Sequence, residues 1–520
     1  MIQQEQSAQF LAQAEAFAAN RAWPQAIAAC RAALRANPGD AAVSLRLALL
    51  HARLGEYRLA RAAALQAAQS RELPPQVAER LIPLLQSFNE IPAMLECIER
   101  MRPLERIPVP LLIGIAAPLC YANLADRAVE FVEEARRVAP DDPDTLLGRA
   151  RLLTYLGRFD EAGQDVARLL QRHPQVAQAY WVQAALRRQT PESSHVQAIR
   201  GQLQRPGHSP DDVAMLCFAL HKELDDLGQH AAAWEALMLG CRAKRSTLNY
   251  RARDSRAIFE ALLRYEPMPA TTQAQPGSAT PVFIVGMHRS GTTLLEQLLD
   301  GSGEVRGIGE MYDFTNAMRH ATDHMCGGVV DLEIVRRAAR VDLAEAGKRY
   351  LDGIAWRLDG ERFFTDKLPS NFLNLGFICE ALPQAKILHM TRDPVETCFS
   401  NLRELFSEAN PYSYDIDELA DFQRGYRRLM RHWHRRYPGR ILDVAYERLL
   451  AEPEATMREV CAFCGIDFEP AMLDVDASRR AVVTASAVAV RGGIHRREQP
   501  KWAPYAAFLR PLVERIDRSD

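Results

Sequence analysis

The stretch "PVFIVGMHRSGTTLLEQLLD" spans Pro281–Asp300. It joins a short apolar run, Val282–Val285, through a polar turn to a helix-like run. Consecutive apolar residues without alternation suit a strand covered on both faces, as in a parallel sheet. Gly286 and Gly291 bracket the turn with the Gly-x4-Gly spacing of a nucleotide phosphate loop. Backbone N–H groups of such a turn, with the positive end of the next helix, hold a phosphate-like oxyanion. The usual lysine is missing, and Thr292 stands in its place. That argues against a triphosphate. Arg289 offers a planar bidentate fork inside the loop, and Ser290, Thr292 and Thr293 offer hydroxyl donors. A smaller anion pair, such as a phosphosulfate, suits this set.

Outward from the loop, Phe363–Thr365, Lys386–Met390 and Ile441–Ala445 are further short apolar runs, each followed by a turn and a helix-like segment. Strands alternating with helices predict βαβ units and a mainly parallel sheet over 282–520. Ligands of such sheets bind at the carboxyl ends of the strands. Glu266–Pro281, rich in Pro, Ala, Thr and Gln, reads as a linker.

The first 265 residues have another pattern. Ala26, Ala60, Ala128 and Ala162 share one 34-residue register, whose missing member is Met94. Trp23, Tyr57 and Phe159 keep that register, as do Pro38, Pro140 and Pro174. Leu54-Gly55 and Leu156-Gly157 precede the aromatics. The register slips after about residue 190 and restarts at Leu227-Gly228. Small Ala positions let two antiparallel helices approach closely, Gly ends the first helix and Pro follows the second. The pattern resembles the tetratricopeptide repeat and implies five to seven helical hairpins over about 5–262. Such a superhelix binds a protein or peptide in its concave face, or pairs two copies as a homodimer. An irregular Ala-rich bundle is the plainer alternative.

Composition sets limits. The chain has 520 residues, a formal net charge of −2 and 25% charged residues. Nothing global calls for nucleic acid or an anionic membrane. No basic-then-apolar leader and no long apolar window appear, so a cytoplasmic protein without a membrane span is expected. Ten scattered cysteines suggest free thiols in a reducing compartment. The close pair Cys461-x-x-Cys464 lies in a helix-like run with no metal-ligand partners, and no metal site is expected. Only six of the 64 basic residues are Lys. A Lys retained at 367 therefore suggests a place where a compact ammonium is needed rather than a planar fork.

Together these motifs become specific. "VGMHRSGTTLLEQLL" resembles the 5′-phosphosulfate loop of sulfotransferases that use 3′-phosphoadenylyl sulfate (PAPS). The similarity is to tyrosylprotein sulfotransferases and bacterial tetratricopeptide-repeat sulfotransferases, which carry Pro where this chain has His288. In "KILHMTRDPVETCFSNL", Arg392 at a strand end and Ser400 eight residues on match the family's 3′-phosphate pair; a surface pair of Arg392 with Asp393 is the other reading. In "FFTDKLPSNFLNLG", Lys367 matches the lysine that contacts the leaving oxygen, where growing negative charge needs a cation; pairing with Asp366 is the other reading. In "RGIGEMYDF", Glu310 matches the general base of tyrosylprotein sulfotransferases, or else is a helix N-terminal charge. His288, His320 and His495 stand behind it as alternative bases. "TASAVAVRGGIHRREQPKWAPY" resembles the segment that folds over the nucleotide, with Ser486 as the 5′-side donor and Arg491 as a weaker candidate. "YERLL" at Tyr446–Leu450 also has a family counterpart after a strand, where Tyr446 packs or contacts adenine.

The resemblance implies an N-terminal α-helical repeat superhelix (1–265), a linker (266–281) and a P-loop-like α/β sulfotransferase domain (282–520). The implied catalytic residues are Glu310, Lys367 and Arg289. Arg289, Ser290, Gly291, Thr292, Thr293, Arg392, Ser400 and Ser486 would bind PAPS, without a metal. The acceptor is a hydroxyl on a peptide, peptide tyrosine being one case, or on a small molecule, glycan or lipid. The alternatives are a repeat scaffold with a degenerate transferase domain, or a nucleotide kinase, against which the absent loop lysine argues.

Overall fold

A computed structural model of the chain describes residues 2–266, 278–406, 408–474 and 499–517. Spatial contacts gather the chain into two compact units, and neither is continuous in sequence. One holds residues 1–140 with 312–354; the other holds 141–311 with 355–520.

The first unit contains four antiparallel helix pairs: Ile2–Ala19 with Trp23–Ala36, Ala41–Arg53 with Tyr57–Ala68, Pro75–Ser87 with Ile91–Arg100, and Val109–Tyr121 with Ala125–Val138. The register read from sequence is the packing seam. Ala26, Ala60, Met94 and Ala128 are all 0% exposed. Trp23 and Tyr57 open second helices, and Gly55 turns the chain between helices at φ 79°, a left-handed value that suits glycine. Pro38 and Pro140 each fall two residues past a second helix. The segment 312–354 adds the helices Asp313–Thr322, Leu332–Ala338 and Leu343–Ile354. It is tied to the second pair by Arg58, whose Nε donates to His320 O at 2.8 Å and whose amide donates to Asp323 Oδ1 at 2.8 Å.

The second unit continues the repeat with the pair Pro143–Leu156 and Phe159–Arg172. Gly157 caps the first of these in the left-handed conformation, and Ala162 is fully buried. Ala177–Leu186 and Val196–Leu203 follow, then the pair Pro210–Asp226 and His230–Thr247 and the helix Ala252–Leu263. The restarted register holds here too: Gly228 lies at φ 72° and Ala233 is fully buried.

The same unit contains a five-stranded sheet: β1 (Thr280–Gly286), β2 (Val305–Gly307), β3 (Phe363–Asp366), β4 (Lys386–Thr391) and β5 (Ile441–Ala445). Strand order is β2-β3-β1-β4-β5, and all four pairings are parallel. The apolar run Val282–Val285 lies in the central strand, β1, and Pro281–Gly286 is buried throughout. One face packs Val282, Ile284, Leu388, Met390 and Val444 on the helices Thr292–Asp300 and Pro453–Cys464. The edge strand β2 has three residues, "VRG", too short to show as an apolar run. Cys461 and Cys464 belong to the buried helix face below β5, where burial pushes their thiols up to about 11 and about 12. All ten cysteines are free and buried. No helix among the described residues is long and apolar enough to cross a membrane.

Candidate active site at the strand ends

All five strands run the same way, so their carboxyl ends form one row, and the predicted residues from Arg289 to Thr293, with Glu310, Lys367, Arg392 and Ser400, follow those ends. The β1 exit is shaped by close backbone approach. A Cβ on Gly286 would lie 2.7 Å from Met390 O of β4, and one on Gly291 would drive into the Tyr446 ring. The two glycines that define the motif are therefore required by neighbours from β4 and the β5 exit. Between them Arg289 sits at φ 68°, a left-handed conformation uncommon for a non-glycine residue. Gly291, at φ 107°, starts the helix Thr292–Asp300. First-turn amides of a helix have no intrahelical acceptor and point outward at its start. Thr292 and Thr293 are buried there, and buried Ser290 Oγ has no hydrogen-bond partner among the described residues.

The β2 and β3 exits bring a base candidate and a cation together. Lys367, just past β3, is 0% exposed, and its Nζ donates to Glu310 Oε1 at 2.6 Å. Glu310 is about one-third exposed, so one side of the pair faces water. A fully buried ammonium requires such a partner. Lys367 also donates its amide to Gly309 O at 3.1 Å. Glu296, buried in the loop helix, accepts from Gly309 N at 2.8 Å and from Thr365 Oγ1 at 3.2 Å. One carboxylate therefore fastens the Gly309-Glu310 turn to β3 and to the helix that starts at the loop.

The β4 and β5 exits make a different cradle. Asp393 caps the helix Pro394–Leu402, accepting from Glu396 N at 2.7 Å. Arg392 donates to Glu396 Oε1 at 2.8 Å and to Arg289 O at 2.9 Å, and its guanidinium lies 4.4 Å from the Tyr446 ring centroid. Its Nε is buried without a partner among the described residues, as is Thr397 Oγ1 one turn along the helix. Ser400, two turns from Arg392, is buried on that helix. The helix also holds the loop, since Asn401 Nδ2 donates to His288 O at 2.7 Å.

His288 lies in the loop that follows β1. Its Nδ1 lies 3.4 Å from Tyr412 OH, and its ring meets Phe406 edge-on. Burial drives its pKa down to about 4; the Glu310 charge opposes this, while Lys367 and Arg289 reinforce it. The imidazole is neutral at neutral pH. Glu404 lies 3.6 Å from Arg289, and burial raises its carboxyl above the usual range against the pull of Arg289, Arg403 and Lys501. Downstream, Tyr505 is fully buried and donates to Asp225 Oδ1 at 2.5 Å, while Arg403 donates to Asp225 Oδ2 at 2.6 Å. Trp502 N lies 3.4 Å from Glu396 Oε2.

Arg289, Ser290, Gly291, Thr292, Thr293, Glu310, Lys367, Arg392 and Ser400 thus all follow strand ends of one sheet. Ser486, Arg491 and His495 lie outside the described residues. Two plainer readings fail: Lys367 is buried on Glu310 rather than paired at the surface with Asp366, and Arg392 pairs with Glu396 rather than Asp393. His320 lies in the other compact unit, edge-on to Tyr57 at 6.4 Å between ring centroids. Glu296, Glu396 and Asn401 were not singled out from sequence. The signal for Glu396 is its i,i+4 spacing from Arg392. For Glu296 it is a carboxylate within an otherwise apolar run, "TTLLEQLL".

The family model described as "Sulfotransferase family" matches residues 281–470, and that described as "Tetratricopeptide repeat" matches residues 11–77 and 121–177. An uncharacterized protein of Aquifex aeolicus is 29% identical over 410 residues, covering 76% of this chain and 53% of that protein. Protein-tyrosine sulfotransferase 2 of Gallus gallus is 26% identical over 199 residues, covering 37% of this chain and 53% of that protein. The chain thus spans about half the length of these two relatives. A solved "Sulfotransferase Domain from the Synechococcus PCC 7002 Olefin Synthase" aligns at TM-score 0.28 and 18% identity, covering 48% of this chain and all of that one.

Proposed function

We propose that this chain, which carries a sulfotransferase-family domain behind tetratricopeptide repeats, transfers a sulfuryl group from PAPS to a hydroxyl acceptor. The carrying observation is the Lys367–Glu310 contact of 2.6 Å at the ends of β3 and β2. A cation able to stabilise a leaving oxygen, lying beside a carboxylate able to take a proton, supports this reading. The donor fits the residues present. Ser290 Oγ, Thr397 Oγ1 and Arg392 Nε are buried polar atoms without partners among the described residues, and only glycine leaves room beside Tyr446 at 291.

When bound, PAPS supplies a sulfuryl group activated by its phosphosulfate anhydride. Glu310 takes the acceptor's proton as the acceptor oxygen attacks sulfur. With the donor bound, Lys367 would exchange Glu310 for the leaving oxygen and stabilise the negative charge there. Arg289, the loop amides, Ser290, Thr292 and Thr293 hold the 5′ oxyanions. Arg392 and Ser400 grip the 3′-phosphate, with Ser486 as a further donor on the 5′ side. The products are a sulfate ester and adenosine 3′,5′-bisphosphate, with the proton on Glu310. No step needs a metal.

The proposed functional division is 1–265 for the repeats, 266–281 for the linker, whose last two residues already belong to β1, and 282–520 for the transferase. The repeats serve a protein or peptide partner or a homodimer, and the acceptor class includes peptide tyrosine, as in the relative's name. Ten free thiols fit a cytoplasmic, bacterial setting. Incubation with radiolabelled PAPS and a panel of phenolic, peptidyl, glycan and lipid hydroxyls tests the reading. Label should move to at least one acceptor. No transfer, together with no calorimetric binding of adenosine 3′,5′-bisphosphate, would overturn it.

A further inference from the structure

Two histidines and an aspartate meet on the sheet face opposite the Leu388, Met390 and Val444 core. Successive strand residues alternate between faces. His389 therefore points away from that core, and so does Asp443, its direct cross-strand partner in the β4–β5 register. The helix Ile416–Arg436 brings His434 over the same spot. His389 Nδ1 lies 2.6 Å and His434 Nε2 2.9 Å from the same oxygen, Asp443 Oδ1. One donor atom from each residue falls within 4.8 Å of the others.

We propose that His389 Nδ1, His434 Nε2 and Asp443 bind a divalent transition metal of the zinc type. Two imidazoles and a carboxylate suit zinc and its neighbours rather than magnesium or calcium, which take oxygen ligands. With metal–ligand bonds of about 2.0 Å, tetrahedral donors stand roughly 3.3 Å apart. Loading therefore parts the present contacts by about half an ångström. Asp443 is 54% exposed and His434 34%, so both can adjust, and solvent reaches the fourth position.

The buried ligand is already oriented from behind. His389 Nε2 lies 2.5 Å from the hydroxyl of buried Tyr426. Metal-ligating histidines are characteristically fixed in this way through their other ring nitrogen.

The test uses full-length protein stripped with a chelator. Zinc titrated by calorimetry should give one saturable equivalent that is absent in His434→Ala and in Asp443→Asn. Tyr426→Phe should weaken binding by about tenfold, the effect of losing an outer-shell partner. Magnesium should give no such heat. His434 lies at the surface, so His434→Ala keeps the test open if the aspartate variant fails to fold, which circular dichroism reports. Absence of saturable zinc binding overturns the proposal, leaving a carboxylate that two imidazoles merely hydrogen-bond. So does zinc binding that survives His434→Ala with unchanged stoichiometry and affinity.

Discussion

The strand-end row has two ends, each holding one cation against one carboxylate. At the β2–β3 end, the lysine is fully buried and its partner Glu310 lies on a turn, about one-third exposed. At the β4–β5 end, Arg392 is pinned on two further sides, by the Arg289 carbonyl and the Tyr446 ring. Its carboxylate, Glu396, is a buried helix residue one turn away. The first pair rests on one contact that a substrate can replace. The second is held from several directions. Such a division suits chemistry at one end and grip at the other.

The comparison breaks most visibly at the reaction end. Glu310→Gln keeps the shape but removes the base, and should lower kcat by about 10²–10⁴-fold in steady-state transfer assays. Lys367→Met should lower kcat by about 10²–10³-fold, with affinity for adenosine 3′,5′-bisphosphate changed by less than about threefold. Arg392→Ala should do the reverse. Loss of a charge-assisted contact of about 1.5–3 kcal/mol weakens nucleotide binding roughly 10–100-fold, while kcat at saturating donor stays near wild type.

Smaller effects sharpen the contrast. Glu296→Gln weakens the acceptor that ties Gly309 to Thr365 and should cost about 1–3 kcal/mol in denaturant unfolding, with a lowered kcat because Glu310 loses its anchor. The smallest concerns pH. His221 and His288 have folded pKa values lowered to about 4, chiefly by burial. Between that value and the ordinary histidine value near 6.5, the unfolded chain binds more protons than the folded one. Stability therefore rises with pH across this window, and the melting temperature should fall as pH drops from about 6.5 to 4. His221→Gln, which keeps an amide to meet the Ala233 carbonyl, should flatten that slope.

Much of the architecture could be read from the chain. A 34-residue spacing of alanines needs no tertiary information, because each marks the same contact in successive helix pairs. The loop glycines were equally legible, yet the reasons for them, Met390 O and the Tyr446 ring, come from distant segments. Glu310 and Lys367 were found separately; their contact was not, because it depends on β2 and β3 being neighbours, and β2 is too short to announce itself. The gathering of 312–354 with the first repeats was likewise hidden. It rests on Arg58 reaching carbonyls some 260 residues away, and an arginine on a repeat helix looks like any other solvated charge.

The account's central claim is that Glu310 and Lys367 do the chemistry while Arg392 holds the nucleotide. The most direct measurement is single-turnover transfer from radiolabelled PAPS by wild type, Glu310→Gln, Lys367→Met and Arg392→Ala, with calorimetric binding of adenosine 3′,5′-bisphosphate to each. The account expects the first two variants to bind the nucleotide as wild type does and to transfer almost nothing. It expects the third to bind poorly and to recover its rate at high donor concentration. Full turnover by Glu310→Gln, or nucleotide binding lost in Lys367→Met but intact in Arg392→Ala, would contradict it.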